Sequence, residues 1–456
     1  MKRQNSASDS HGSYHWFRAA AERGNAYAQF NLALLYKSGH GAPRDEASAY
    51  GWMKLAALQG LVFAQNHLGA MYYNGRGVPR NDAEAALWFR RAALQGDASA
   101  QQNLGQMYKK GRGVAPSKEL ALAWFCRAAE QGVASAQTLL AIAYARGDGA
   151  KRNPTLAMAW FRKAAMQGDA AAQLNLGLMY KRGQGVARSD AQALAWFQQA
   201  AAQGDAVAQR QLGVAYAQGC GVAADQARAY SWLSRAAEQD DVDAQFNLGV
   251  MLANGRGVAR DEARAFCWYQ RAAVAGHMMA QYNLGGMYAH GRGVRRDPQR
   301  ALDWYRRAAE QGASNAQFNV GVIYANGQGV ARDEVRAVAW YRSAAEQGDA
   351  SAQNNLGVMY ANGQGVPQDD AQAVDWYRKA AEQGHALAQF NLGGMYHSGR
   401  GVASDPVLSY MWMSLAADAG DESARSKRKL IAGKLTAREL GSAHMLTRRW
   451  RGVHRV

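Results

Sequence analysis

The chain has 456 residues, 48% of them hydrophobic and 20% charged, with a formal net charge of +17. No apolar run reaches the roughly 18 residues of a membrane span, and two bases at the start, Lys2 and Arg3, have no apolar core behind them. The expectation is therefore no membrane span, no signal peptide and a cytoplasmic location. The charge is uneven: residues 424–456 hold ten Lys or Arg against the single acid Glu439, which directs any electrostatic argument to the C-terminus.

Residues 1–12 are polar and short of apolar anchors, which predicts a disordered tail with order beginning near Ser13. Residues 13–24, SYHWFRAAAERG, match the second half of a unit whose complete copies follow, so they form an N-terminal half repeat. From Ala28 the pair Ala-Gln returns every 36 residues, up to Ala388, without an insertion. Eleven complete repeats therefore fill residues 28–423. Units this short cannot bury an apolar face alone, and stacking on neighbours supplies the core.

The first half of each unit has the spacing of a helix: Ala at the first position, Leu at the fifth, Met at the eighth and Tyr at the ninth share one arc of the wheel. In repeat ten these are Ala352, Leu356, Met359 and Tyr360. Glycine at the twelfth and fourteenth positions, here Gly363 and Gly365, marks the helix end. The eighteenth position is Asp, Asn or Ser in all eleven repeats, which predicts the N-cap of a second helix. Three caps are followed by Pro154, Pro298 or Pro406, at the helical position where proline's missing N–H costs nothing. Trp occupies the twenty-fifth position throughout, from Trp52 to Trp412. A tight stack of helices with indoles opposite small Ala and Gly residues is expected.

Departures from the repeat cluster around one junction, where Cys220, Ala224, Asp240 and Leu252 replace consensus residues, so a soft point is expected near 240. Asp240, Asp241 and Asp243 lack the spacing and glycine of a calcium loop and are read as a solvated turn. After the last repeat, residues 424–456 form a basic C-terminal cap. Thr436 and Glu439 make a capping box for a final helix with Leu440, Ala443 and Trp450 on one face and Arg448, Arg449 and Arg451 on the other.

The pattern LGxxYxxGxGV, then Asp or Asn, then WxxxAAxxG, resembles the SEL-one-like repeat family, relatives of the tetratricopeptide repeats with a longer loop, over about residues 13–423. The resemblance implies an all-α, right-handed α/α superhelical solenoid that serves as an adaptor or scaffold, frequently bacterial, with no catalytic residues. Family members with paired repeat cysteines are exported. Here Cys126, Cys220 and Cys267 occupy three different repeat positions.

The residues themselves point away from catalysis. The glycine loops, such as GRGVAR, lack the third glycine or following Lys-Ser/Thr of a phosphate loop and follow a helix rather than a strand. No metal-ligating or nucleophile-base constellation stands out, and no cofactor is expected. A binding surface is the remaining expectation. On the first-helix wheel the third, seventh and tenth positions lie opposite the core face and, with tetratricopeptide-like stacking, would face the concave side. They include Lys37, Tyr73, Lys109 and Lys181 in the N-terminal half, and Phe246, Tyr282, Phe318 and Phe390 in the C-terminal half. Such a stripe suits a protein or peptide partner, although packing of the rings within the solenoid would explain it as well. The alternative partner is nucleic acid or another acidic surface, held by the basic tail with Arg448, Arg449 and Arg451.

Overall fold

The computed structural model describes residues 5–453, with side chains from Ser13 onward. Among these residues there are 25 helices and no strand. The tail expected at 1–12 is described only from Asn5 and only as backbone, where it continues the helix Asn5–Glu22. The chain divides into two compact units, Met1–Trp232 and Leu233–Val456. Each unit is a stack of antiparallel helix pairs, a solenoid arrangement, and the last helix, Ala437–Val453, packs on Pro406–Asp418.

Repeat ten shows why these residues form these elements. Its first helix, Ala350–Asn362, starts at Asp349, whose carboxylate accepts from the Ala352 amide at 2.8 Å. It ends at Gly363 with φ of 66°, a left-handed conformation that a Cβ resists. The second helix, Asp370–Glu382, is capped by Asp369, which accepts from the Gln372 amide at 2.9 Å. The fourteenth-position glycine has a different task. At Gly365 a Cβ would come within 2.3 Å of the Glu334 carbonyl oxygen in the preceding repeat, so only glycine permits this approach of loop to helix.

The core of each unit repeats. In one cluster Ala85, Phe89 and Ala92 from the second helix of repeat two meet Leu104 and Met107 from the first helix of repeat three, and Trp124 of repeat three closes it. The ring opposite the sixth-position glycine is not the tryptophan expected from the sequence but the residue after it. A Cβ at Gly105 would lie 2.6 Å from Phe125, and one at Gly357 would lie 2.7 Å from Tyr377. Tryptophan sits one residue earlier, so its indole turns about 100° away along the helix wheel toward the preceding hairpin. Most of these indoles stay half-buried, and a base three residues on covers several: Arg127 lies 4.5 Å from the Trp124 ring centroid and Lys379 lies 3.9 Å from that of Trp376. Arg271 and Arg307 lie on the Trp268 and Trp304 rings in the same way.

A polar ladder runs through the same core. The second-position glutamine is buried in all eleven repeats. Gln353 Nε2 donates to the Ala345 carbonyl at 3.0 Å, and its Oε1 accepts from Gln383 at 2.8 Å. The Gln65–Gln95, Gln101–Gln131 and Gln281–Gln311 pairs repeat the bond at 2.7–2.8 Å. In these repeats the amide satisfies a carbonyl at the end of one second helix and pins the closing turn of its own repeat. This is how a buried polar side chain avoids the cost of lost water.

Residues 424–456 are described as far as Val453 and fold as two helices, Glu422–Ala432 and Ala437–Val453. The capping box forms as expected, with the Thr436 amide donating to Glu439 at 2.8 Å. Ala443 is fully buried against Tyr410, Met413 and Ile431, and Trp450 meets Trp412 edge to face at 6.3 Å. Near 240, Asp240 takes φ of 63° in place of the usual glycine and pairs with Arg271 at 2.8 Å. Asp241 caps the next first helix, and no cluster able to hold a metal ion occurs among the described residues.

Candidate binding face on the first helices

The third-position aromatics are half-buried, and three of them lean on the core ring of their own repeat. Phe246, Tyr282 and Phe318 lie 6.0, 5.6 and 6.0 Å from Tyr269, Tyr305 and Tyr341, with tilted planes. Phe246 also stacks on His277 at 4.4 Å, and Phe390 is covered by the Lys427 ammonium at 4.3 Å. The rings thus share their area between the solenoid and its surface. Among the tenth-position residues Lys37 and Lys109 are exposed, Lys181 donates to Gln211 at 2.8 Å, and Tyr73 is covered by the Arg112 guanidinium at 3.9 Å.

Between successive first helices the surface dips into recesses built from equivalent positions. In the first unit one recess of about 160 Å³ has Lys37, His67, Arg76 and Asn103 on its walls, and another of about 160 Å³ has Lys109, Lys118, Phe125 and Asp148. In the second unit a more polar one of about 390 Å³ is bounded by Asn254, Arg260, Glu262, Tyr269, Asn283 and Arg292. The fourth and thirteenth positions supply much of each wall, and neither was singled out from the sequence. The signal was present: the fourth position is Asn in eight of eleven repeats and never part of the apolar arc.

A charge pair crosses several recess walls, joining the thirteenth position of one repeat to the nineteenth of the repeat before. Arg112 meets Asp82 at 2.8 Å and Arg400 meets Asp370 at 2.7 Å. At Lys118 and Asp148 the signs are exchanged and the pair still forms, at 2.6 Å. The Arg112 guanidinium, and after it Arg80, hold the Asp82 carboxyl well below the usual carboxylate range.

The floor chemistry differs between units. The twenty-sixth position is Phe in repeats two to five and Tyr in repeats seven to ten. Burial pushes the phenols of Tyr269, Tyr305 and Tyr377 up to about 12, so each is a neutral hydroxyl at physiological pH.

In the C-terminal segment Arg448 and Arg449 are exposed, while Arg451 is paired with Asp418. A polar recess of about 250 Å³ lies there, lined by Tyr410, His444, Arg428, Arg448 and Arg451, with the Tyr410 hydroxyl 3.0 Å from His444 Nε2. Three free cysteines are present, and burial raises the Cys126 thiol to about 11. No helix among the described residues is long and apolar enough to cross a membrane.

Compared with known proteins, the chain matches the Sel1 repeat in twelve consecutive stretches, from 7–25 and 26–61 through to 386–421. It is similar to a solved structure of a protective antigen from uropathogenic Escherichia coli, described as displaying an SLR fold. The identity is 39%, with 96% of this chain and 94% of that one covered and a TM-score of 0.86. A Sel1 repeat protein from Oxalobacter formigenes is similar at 35% identity, covering 69% of this chain and 93% of that one, with a TM-score of 0.53. No curated protein matches.

Proposed function

The chain belongs to the Sel1 repeat family, and we propose that it works as a non-catalytic scaffold that holds a protein partner on the face formed by its first helices. The observation that carries this reading is the recess series with its flanking aromatics. The tenth-position lysines, fourth-position amides and third-position rings stand outside the Leu, Ala and Gly core that stacking requires, yet recur at the repeat spacing. A surface that alternates apolar rings with amide donors and acceptors suits a polypeptide, whose main chain presents both. The solenoid contributes length: successive recesses present equivalent groups to successive segments of one partner.

The test uses the full chain carrying Phe318→Ala and Tyr282→Ala together, compared with wild type for thermal midpoint and for recovery of partner protein from the producing cell. Loss of partner with a modest fall in midpoint supports the reading. A large loss of stability with partner retention assigns the rings to packing alone.

A second reading, binding of nucleic acid or another acidic surface by the C-terminal segment, is favoured by the recess that gathers Arg428, Arg448 and Arg451. Asp418 reduces its charge by pairing with Arg428 and Arg451. Polynucleotide binding that falls steeply with salt and disappears on replacing Arg448 and Arg449 with Gln would promote this reading over the first.

A further inference from the structure

Among the described residues Arg292, like Arg76, lacks the ion pair that its counterparts Arg112 and Arg400 make. Where the preceding repeat offers Asp, the thirteenth-position arginine is neutralised, as Arg112 is by Asp82 and Arg400 by Asp370. In front of Arg292 the acid is Glu262, whose longer side chain curls back to Arg260 two residues earlier. Arg292 makes no ion pair among the described residues, and it borders the 390 Å³ recess with Tyr269, Asn283 and Glu262.

Donors stand beside Arg292: the Asn283 amide and the Tyr269 phenol share its recess wall. The seventh position, Val in the repeats on either side, is here Gly286. A Cβ placed there would sit 3.4 Å from the Tyr305 hydroxyl and 3.6 Å from an Arg292 terminal nitrogen. A side chain at this position would stand against both groups. An exposed guanidinium beside neutral phenols, with the neighbouring Glu262 held by Arg260, suits a carboxylate, which takes charge-assisted hydrogen bonds from several donors at once.

We propose that the recess bordered by Tyr269, Asn283 and Arg292, with Gly286 and Tyr305 beside Arg292, receives an aspartate or glutamate side chain of the bound partner. This rests on the scaffold reading above and specifies its partner: a polypeptide with an acidic residue opposite repeats seven and eight. The Phe rings at the equivalent positions of repeats two to five offer no hydroxyl, so the preference belongs to the second unit.

The experiment measures binding of fluorescein-labelled decaglutamate, decaglutamine and a ten-nucleotide oligothymidylate to the full chain by anisotropy, with thermal midpoints in parallel. Decaglutamate should bind more tightly than decaglutamine. Arg292→Gln should weaken it about tenfold, as expected for loss of a charged hydrogen-bond donor. Gly286→Val should weaken it comparably by covering the donors, and the shape-conserving pair Tyr269→Phe with Tyr305→Phe should weaken it severalfold even if the valine variant fails to fold. Arg378→Gln, on a second helix, should leave it unchanged. Decaglutamate binding unaffected by Arg292→Gln and by the phenylalanine pair overturns the proposal, as does equal binding of decaglutamine. Oligothymidylate binding with the same dependence on Arg292 replaces the carboxylate with a phosphodiester and overturns it too. In any of these cases the scaffold reading survives if a protein partner still crosslinks to the first-helix face.

Discussion

Gly357 lies directly against the ring of Tyr377, so close that an added methyl would stand 2.7 Å from two ring carbons. Gly357→Ala should therefore destabilise the second unit by about 1–3 kcal/mol, the usual cost of overpacking a filled core. Repeat four tolerates Ala141 opposite Phe161, which favours the lower end, and repeat one pairs Ala33 with Met53 in one core cluster. Adding Tyr377→Met to Gly357→Ala should recover part of the loss. A double-mutant cycle on denaturation midpoints measures this coupling, and strict additivity would refute the contact.

Gln353 is 5% exposed and joins two hydrogen bonds, to the Ala345 carbonyl and from Gln383. Gln353→Leu keeps the volume and strands both partners, so it should cost about 1–3 kcal/mol. Gln353→Glu should cost more, since a buried carboxylate repels the carbonyl it faces. Chemical denaturation of both variants checks the order.

Asp82 has its carboxyl held below the usual carboxylate range in the folded chain by Arg112 and Arg80. Because the folded value lies below the unfolded value of about 3.9, the stabilisation is complete above about pH 4 and is lost as pH falls through the folded value. Thermal midpoints of wild type and Asp82→Asn should differ most near pH 6 and converge toward pH 2. A gap that stays constant across this range would show that the ion pair is not the cause.

Thr436 and Glu439 close the start of the helix Ala437–Val453, with the Glu439 amide 3.3 Å from Thr436 Oγ1. Thr436→Ala should cost about 1 kcal/mol and appear as faster hydrogen exchange confined to that helix. Exchange that accelerates equally in repeat eleven would mean that the cap and the repeat open together.

The repeat length, the helix ends and the caps were legible in the sequence because each depends on one residue type with one backbone role: glycine at a positive φ, Asp, Asn or Ser at an N-cap, proline at the first helical position. The division of labour between adjacent aromatics was not. Trp376 and Tyr377 are both large and amphipathic, and only three-dimensional placement shows that Tyr377 faces Gly357 while Lys379 covers the Trp376 ring. The buried glutamine was visible as half of the opening Ala-Gln pair but carries no apolar signature, since its burial depends on the Ala345 carbonyl eight residues earlier. Recess walls escaped for a related reason. Asp82 and Arg112 are separated by 30 residues, and their contact follows from stacking rather than from the spacing of any one helix.

The most direct measurement of the central claim is site-specific photo-crosslinking in the producing cell. A benzoylphenylalanine replaces Lys109 or Phe318 on first helices, or Val335, which is 68% exposed on a second helix. A scaffold that binds through its first helices gives discrete crosslinked protein bands from positions 109 or 318 and none from 335. Equal crosslinking from all three positions, or crosslinks at 335 alone, would contradict it.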